Sequence, residues 1–293
     1  MMTSSHEQRS LMIDCDGTRI AAEVRGDGDP VLLLHGYPET KAMWRDVAEA
    51  LASDHSVVAA DLRGYGDSAK PRGDHYAKRD MARDQVALMR ELGFERFAVV
   101  GHDRGGRVGH RMALDHPDAV TRLAVLDIVP TLHMFENVDR EMATAYFHWF
   151  FLARTDGLPE TLIDGDRETW LRSRFTGRRH DGEALPDAFD DYLRCFDSDT
   201  VHASGADYRA AATVDLDHDR ADRDAGRVVG CPTLALWGSH SYVGRNFDVP
   251  AVWEQYAPGV TGAAIDADHY LAEEAPLATA SALQSFLAIG VAA

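Results

Sequence analysis

Two hydrophobic rhythms alternate along this chain. Short apolar runs at Val31–Leu34, Val57–Ala60, Phe97–Val100, Leu123–Leu126 and Thr233–Gly238 have almost no polar alternation, as parallel strands covered on both faces should. Between them come stretches with helical spacing: Met43, Trp44, Val47 and Leu51; Lys78 to Leu92, stopped by Gly93; Val108 to Leu114; Val249 to Tyr256; and Leu277 to Ile289. Leu11 to Val24, broken at Cys15-Asp16-Gly17, predicts an edge hairpin, and Thr261–Ile265 a weak last strand. From Pro130 to Arg227 the strand signal vanishes into helices and loops rich in aromatics and charges. Strand–helix alternation interrupted by one helical block predicts an α/β fold, a mostly parallel central sheet flanked by helices, with an inserted helical cap. The expected division is a core of residues 1–129 and 228–293 and a cap of residues 130–227. No internal repeat or low-complexity tract is present.

Composition narrows the function classes. At 293 residues the chain suits one such domain with an insertion, and no apolar run approaches the eighteen or so residues that span a bilayer. Met1 to Ser10 is polar and reads as a frayed terminus without a signal peptide's apolar centre. Cys15, Cys195 and Cys231 are odd in number and scattered, so neither disulfides nor a zinc site is expected, and a cytoplasmic setting is the default. A net charge of −18 argues against nucleic acid and anionic membranes as partners. It leaves room for a small anionic substrate, because fields beyond about 8 Å are screened at physiological salt. Oligomeric state is left open, a homodimer included.

The candidate chemistry begins at Gly101-His102-Asp103-Arg104-Gly105, which lies between the Phe97–Val100 run and a helical pattern. Strand, sharp turn and helix in this order resemble the nucleophile elbow of the α/β-hydrolase fold, with aspartate where a serine usually stands. Glycines two positions before and after the nucleophile suit a strained turn. An aspartate carboxyl ordinarily titrates at about 3.9 and is therefore already ionised at neutral pH. It can displace a leaving group from saturated carbon and leave an ester for water to cleave.

That water needs a base. Among fourteen histidines, His269 follows the last strand signal and precedes the last helix, where this fold's histidine belongs. Asp127, at the carboxyl end of the strand after the elbow, is the preferred group to orient it; Asp248, beyond ten residues of irregular loop, is the rival. Main-chain donors for an oxyanion hole are expected from the amide of Arg104 and from Tyr37, in His35-Gly36-Tyr37-Pro38.

Arg104 and Arg107 carry the substrate inference. They lie one helical turn apart, so both can face the pocket. A carboxylate attacking a carboxylate-bearing substrate meets a repulsion of about 4 kcal/mol at about 4 Å and an effective dielectric near 20. Two guanidiniums offset it, and their planar forks suit a bidentate carboxylate. A neutral epoxide or alkyl halide would not require them. In the cap, Tyr146–Phe151 reads mainly as a helix's core stripe, although His148 and Trp149 carry ring N–H donors and Tyr208 a hydroxyl. From spacing alone, a halide-binding role for these three stays open.

With these residues in place, the chain from about Gly26 to Phe286 resembles the fluoroacetate (haloacetate) dehalogenases of the α/β-hydrolase superfamily. The likeness rests on LLLHGYPET, DLRGYGDS, GHDRGGR, LAVLDIVPT, FHWFFLA, ADYRAAAT, LALWG and HYLAEEAP. The specific element is Gly-His-Asp-Arg-x-x-Arg, since epoxide hydrolases and haloalkane dehalogenases usually have tryptophan after the nucleophile. The resemblance implies Asp103 as nucleophile, His269 as water activator, Asp127 as its orienting acid, and Arg104 and Arg107 as carboxylate holders. It adds His148, Trp149 and Tyr208 as halide ligands, a role the residues alone do not establish. It implies no cofactor and no metal. Three departures bear on substrate size and halogen preference. Tyr37 replaces a common phenylalanine, Ser239–Arg245 is bulky and basic, and Phe175–His180 lacks an entrance aromatic. The expected reaction is hydrolysis of a 2-haloacetate, with fluoroacetate as the candidate, to glycolate and halide. Epoxide hydrolysis by the same Asp–His–Asp set, and a non-catalytic ligand receptor, are the alternatives.

Overall fold

The computed structural model describes residues 8–288 apart from 74, 178, 183 and 184. Most of the polar start, residues 1–7, and Ile289 of the expected last helix lie outside the described residues. An eight-stranded sheet runs in the order β1-β2-β4-β3-β5-β6-β7-β8. Its strands are β1 (Arg9–Cys15), β2 (Thr18–Arg25), β3 (Asp29–Leu34), β4 (His55–Ala60), β5 (Phe97–His102), β6 (Val120–Leu126), β7 (Thr233–Gly238) and β8 (Thr261–Ile265). The β1–β2 and β2–β4 pairs are antiparallel, so the expected edge hairpin is present; every pair from β4–β3 to β7–β8 is parallel.

Burial follows the apolar runs. Leu32, Leu33 and Leu34 of β3 and every residue of β5 are buried, because helices cover both faces. Those helices are α1 (Arg45–Leu51), α2 (Lys78–Glu91) and α3 (Asp103–Asp115). Gly93 ends α2 with φ +87°, a left-handed turn that spares it a Cβ clash. Between β6 and β7, eight helices follow among the described residues: α4 (Thr131–Glu136), α5 (Arg140–Ala145), α6 (Phe147–Leu152), α7 (Leu158–Gly165), α8 (Arg167–Phe175), α9 (Phe189–Cys195), α10 (Ser198–Ala211) and α11 (Val214–Asp224). The chain closes with α12 (Tyr242–Asn246), α13 (Val249–Glu254), α14 (Leu271–Glu274) and α15 (Pro276–Leu287). Thus the loop expected to be irregular before Asp248 holds a short helix, because the Ser241 hydroxyl caps it by accepting from Gly244 N at 2.9 Å.

The helical block docks on the sheet through cations of the core and aspartates of the block. Arg111 pairs with Asp219 at 2.7 Å and Asp222 at 2.5 Å, and Arg194 of α9 reverses the pattern with Asp67 at 2.8 Å. Among the described residues no helix is long and apolar enough to cross a membrane.

Candidate active site

The carboxyl ends of five strands converge under the helical block, and each delivers one part of the site. Asp103 follows β5 with φ +41°, a conformation strained for a residue with a side chain. The turn closes only because its flanks are bare: a Cβ on Gly101 would sit 2.4 Å from Gly105 O, and one on Gly105 2.3 Å from Leu34 O. Loop residue Tyr37, after β3, donates its amide to Asp103 Oδ2 at 3.1 Å. Arg104 contributes the amide immediately after Asp103, in the first turn of α3.

Asp127 leaves β6, also with positive φ (+50°). Its Oδ2 lies 2.6 Å from His269 Nδ1, while Oδ1 accepts from Gly238 N at 3.0 Å and Ser241 Oγ at 2.6 Å. A carboxylate so held fixes the imidazole by one oxygen and itself by the other. The rival acid, Asp248, is exposed and caps α13 by accepting from Ala251 N at 3.1 Å.

Burial by itself would raise the Asp103 carboxyl. The charges of His269, Arg107, Arg104 and His102 outweigh it and hold the group below the ordinary carboxylate range. Arg107 is the nearest guanidinium: its Nε stands 4.0 Å from Asp103 Oδ1, with no hydrogen-bond partner for that nitrogen among the described residues. Its Nη1 is anchored at 3.1 Å to both Val129 O and Thr131 Oγ1, and its carbon lies 4.6 Å above the Trp149 ring.

Arg104 is turned differently from the sequence-based expectation. Its Nε and Nη2 grip the Asp207 carboxylate at 2.8 and 2.5 Å, so that face of the fork is taken, and Nη1 alone lacks a partner among the described residues. Both guanidiniums are buried rather than turned to solvent, at 0% and 4% exposure. Sequence spacing could not foresee Asp207, which arrives from α10 some hundred positions away.

A small cavity of about 10 Å³ opens on Asp103 and His269, walled also by Tyr37, Tyr146, His148, Arg174 and Tyr270. Of the three expected halide ligands, only His148 reaches this wall. Trp149 and Tyr208 are buried just behind it, with Tyr208 ring-to-ring with His148 at 5.7 Å and beneath the Arg104 guanidinium at 4.2 Å. The aromatic stretch is less of a core stripe than expected, since Phe147 and Phe150 are 43% and 38% exposed. The helix begins only at Phe147, which rotates Tyr146, His148 and Trp149 inward.

Several neighbours escaped the sequence reading. Arg174 reaches the cavity by stacking on Phe147 and Trp170, 4.9 and 4.6 Å from their ring centres. Trp170 in turn donates to the Tyr37 hydroxyl at 2.7 Å, so the departure at position 37 links the core to the helical block. His102 lies ring-to-ring with His269 at 4.6 Å; its Nε2 meets the His269 carbonyl at 2.9 Å and its Nδ1 meets Glu39 at 2.8 Å. Burial pulls His102 down, but Glu39 pushes it up to about 9, so a cation sits beneath the Asp103–His269 pair. Glu273, half-buried near Glu39, is driven well above its ordinary range by desolvation and by that neighbouring charge. The only signal for His102 in the sequence is its place beside Asp103, and nothing there singles out Glu39 or Arg174.

The comparisons agree with this frame. A fluoroacetate dehalogenase from Burkholderia sp is 44% identical over 94% of this chain and 92% of its own length. A soluble epoxide hydrolase from Corynebacterium sp. (strain C12) is 33% identical, covering 89% of this chain and 91% of the relative. The crystal structure of ALR0039 from Nostoc sp PCC 7120 superposes with a TM-score of 0.93 at 48% identity, over 97% of this chain and 99% of that one. Because the family model described as the alpha/beta hydrolase fold matches residues 29–276, and the aspartate elbow, the eight-stranded sheet and these relatives all fall within it, the chain belongs to the α/β-hydrolase fold family.

Proposed function

We propose that this hydrolase removes halide from a small 2-haloacetate, with fluoroacetate as the candidate substrate, and releases glycolate. The observation that carries the reading is the buried guanidinium of Arg107, 4.0 Å from Asp103 Oδ1 with its Nε lacking a partner among the described residues. A buried unpaired donor is costly, and a substrate carboxylate satisfies it. At that separation a guanidinium offsets charge repulsion of about 4 kcal/mol at an effective dielectric near 20. Arg104 Nη1 is a second buried donor without a partner among the described residues.

In this reading Asp103 Oδ1 attacks the α-carbon from the side opposite the halogen, and the carbon–halogen bond breaks with its electron pair leaving as halide. His148, on the cavity wall, would ease that departure by offering a ring N–H donor, with Trp149 and Tyr208 behind it as the further candidate donors. Asp103 Oδ2, already held by the Tyr37 amide at 3.1 Å, becomes the ester carbonyl oxygen, so the same amide, joined by that of Arg104, stabilises the oxyanion when water attacks. His269, its Nδ1 engaged by Asp127, takes the proton of that water at Nε2. No cofactor enters these steps. The test is halide and glycolate release from fluoro-, chloro- and bromoacetate, with single turnover in heavy-oxygen water. First-turnover glycolate should carry oxygen from Asp103; solvent oxygen there rejects the covalent step.

Epoxide hydrolysis is the second reading, favoured by Tyr146 on the cavity wall and Tyr208 behind it, two phenols able to polarise an epoxide oxygen. A neutral epoxide turned over faster than any haloacetate would select it.

A further inference from the structure

We propose that His180, His240 and Asp266 form a binding site for a divalent transition-metal ion, Zn²⁺ foremost, at the seam between the helical block and the loop that carries His269. The three residues come from separate segments: His180 from the loop after α8, His240 from between β7 and α12, and Asp266 from the first position after β8. Their donor atoms all lie within 4.8 Å of one another, the one such group of three among the described residues. The two imidazoles stack with centroids 3.4 Å apart and planes 15° from parallel, so one ring turns about its side-chain torsions to bring both in-plane Nε2 lone pairs onto one ion. Both point Nε2 at one carboxylate oxygen: Asp266 Oδ1 is 2.9 Å from His240 and 3.8 Å from His180. A tetrahedral ion with bonds of about 2.0–2.1 Å holds its donors about 3.3 Å apart, between those two distances.

The backbone around the cluster is already pinned, so the side-chain torsions of the two histidines are what the ion has left to order. Glu274 accepts from His180 N at 2.6 Å and also from Asp268 N and Tyr270 N, each at 2.9 Å. Ser239 N bonds Ile265 O at 2.8 Å and His240 N bonds Ala267 O at 3.1 Å. One carboxylate therefore ties the helical block to the 268–270 loop, and two main-chain bonds tie the His240 loop to the Asp266 loop. Two imidazoles and a carboxylate suit Zn²⁺, Ni²⁺ or Cu²⁺ and disfavour Mg²⁺ and Ca²⁺, which prefer oxygen. The imidazoles are 47% and 41% exposed, so an ion enters from solvent and keeps water in its remaining position. Asp266 precedes His269 by three residues, and a bound ion cross-links the helical block to that loop from outside the cavity.

The site is independent of the reaction at Asp103, and its test needs no substrate. Untagged protein titrated with Zn²⁺ against a chromophoric chelator is expected to bind one equivalent far more tightly than Mg²⁺, and its unfolding temperature should rise with free Zn²⁺. Altering a group that merely orients a ligand costs roughly ten- to a hundredfold in metal affinity. His180→Ala, His240→Ala and Asp266→Asn should each lose at least that much, whereas His75→Ala, an exposed histidine elsewhere, should lose nothing. The side chains are surface groups, and circular dichroism checks that each variant folds. Unchanged Zn²⁺ affinity in the His180→Ala/His240→Ala double variant, or no preference for Zn²⁺ over Mg²⁺ in the parent, overturns the proposal.

Discussion

Arg104 and Asp207 form a fully buried two-point pair, Nε to Oδ2 at 2.8 Å and Nη2 to Oδ1 at 2.5 Å. Lys78 reaches the same carboxylate, and Tyr65 donates its hydroxyl to Oδ2 at 2.8 Å. One aspartate of the helical block therefore sets which nitrogen of Arg104 is left for a ligand. Asp207→Asn leaves buried Arg104 without its counter-ion and Lys78 with Asp215 alone, 3.9 Å away, a loss of about 3–5 kcal/mol for a broken buried pair. Urea unfolding should record it, and activity should fall with it. A stability change below about 1 kcal/mol would mean the pair does not organise the site.

Arg107→Ala should act on recognition. Truncating one member of a buried charge pair costs about 2–5 kcal/mol, hence kcat/KM for haloacetates should drop roughly thirtyfold to several thousandfold. A neutral epoxide or alkyl halide, lacking the carboxylate, should be turned over no more slowly by the variant than by the parent. Equal losses on charged and neutral substrates would remove the arginine from substrate binding.

His269→Gln should stop the second half of the reaction. One equivalent of halide per enzyme should be released from haloacetate, followed by arrest, and intact-protein mass spectrometry should show one carboxymethyl group added, mapping to Asp103. Steady turnover in this variant would assign the base elsewhere.

The Glu39–His102 pair predicts a pH dependence of stability. Glu39 lifts His102 from 6.5 to about 9, so the folded state holds its proton more tightly than the unfolded chain. The stabilisation is full below about pH 6.5, declines above it and is gone once pH passes about 9. Glu39→Gln should flatten that alkaline limb in thermal melts taken across the interval; an unchanged slope would place the titration in another group.

Tyr37→Phe separates the two roles of that residue. The amide on Asp103 Oδ2 is retained, while the bond from Trp170 Nε1 to the hydroxyl, at 2.7 Å, is lost. A stability loss of about 1 kcal/mol, with kcat little changed and tryptophan fluorescence altered, is expected. A collapse of kcat would tie the hydroxyl itself to the chemistry.

Much was legible along the chain because its causes are local. Unbroken apolar runs mark strands covered on both faces, and the β3, β5, β6 and β7 strands stand where those runs do. The elbow declares itself because a strained turn tolerates no Cβ at Gly101 or Gly105, and His269 because it follows the last strand. What the residues could not disclose were partners contributed by distant segments. Asp207 claims the fork of Arg104, Ser241 holds the second oxygen of Asp127, Glu39 charges His102, and Arg174 reaches the cavity over two aromatic rings. His180, His240 and Asp266 have no ligand-like spacing, and meet only where three loops are pinned together. Periodicity and turn chemistry act over a few residues and are written in order; electrostatic pairing acts through space, and only the folded packing decides which charge faces which.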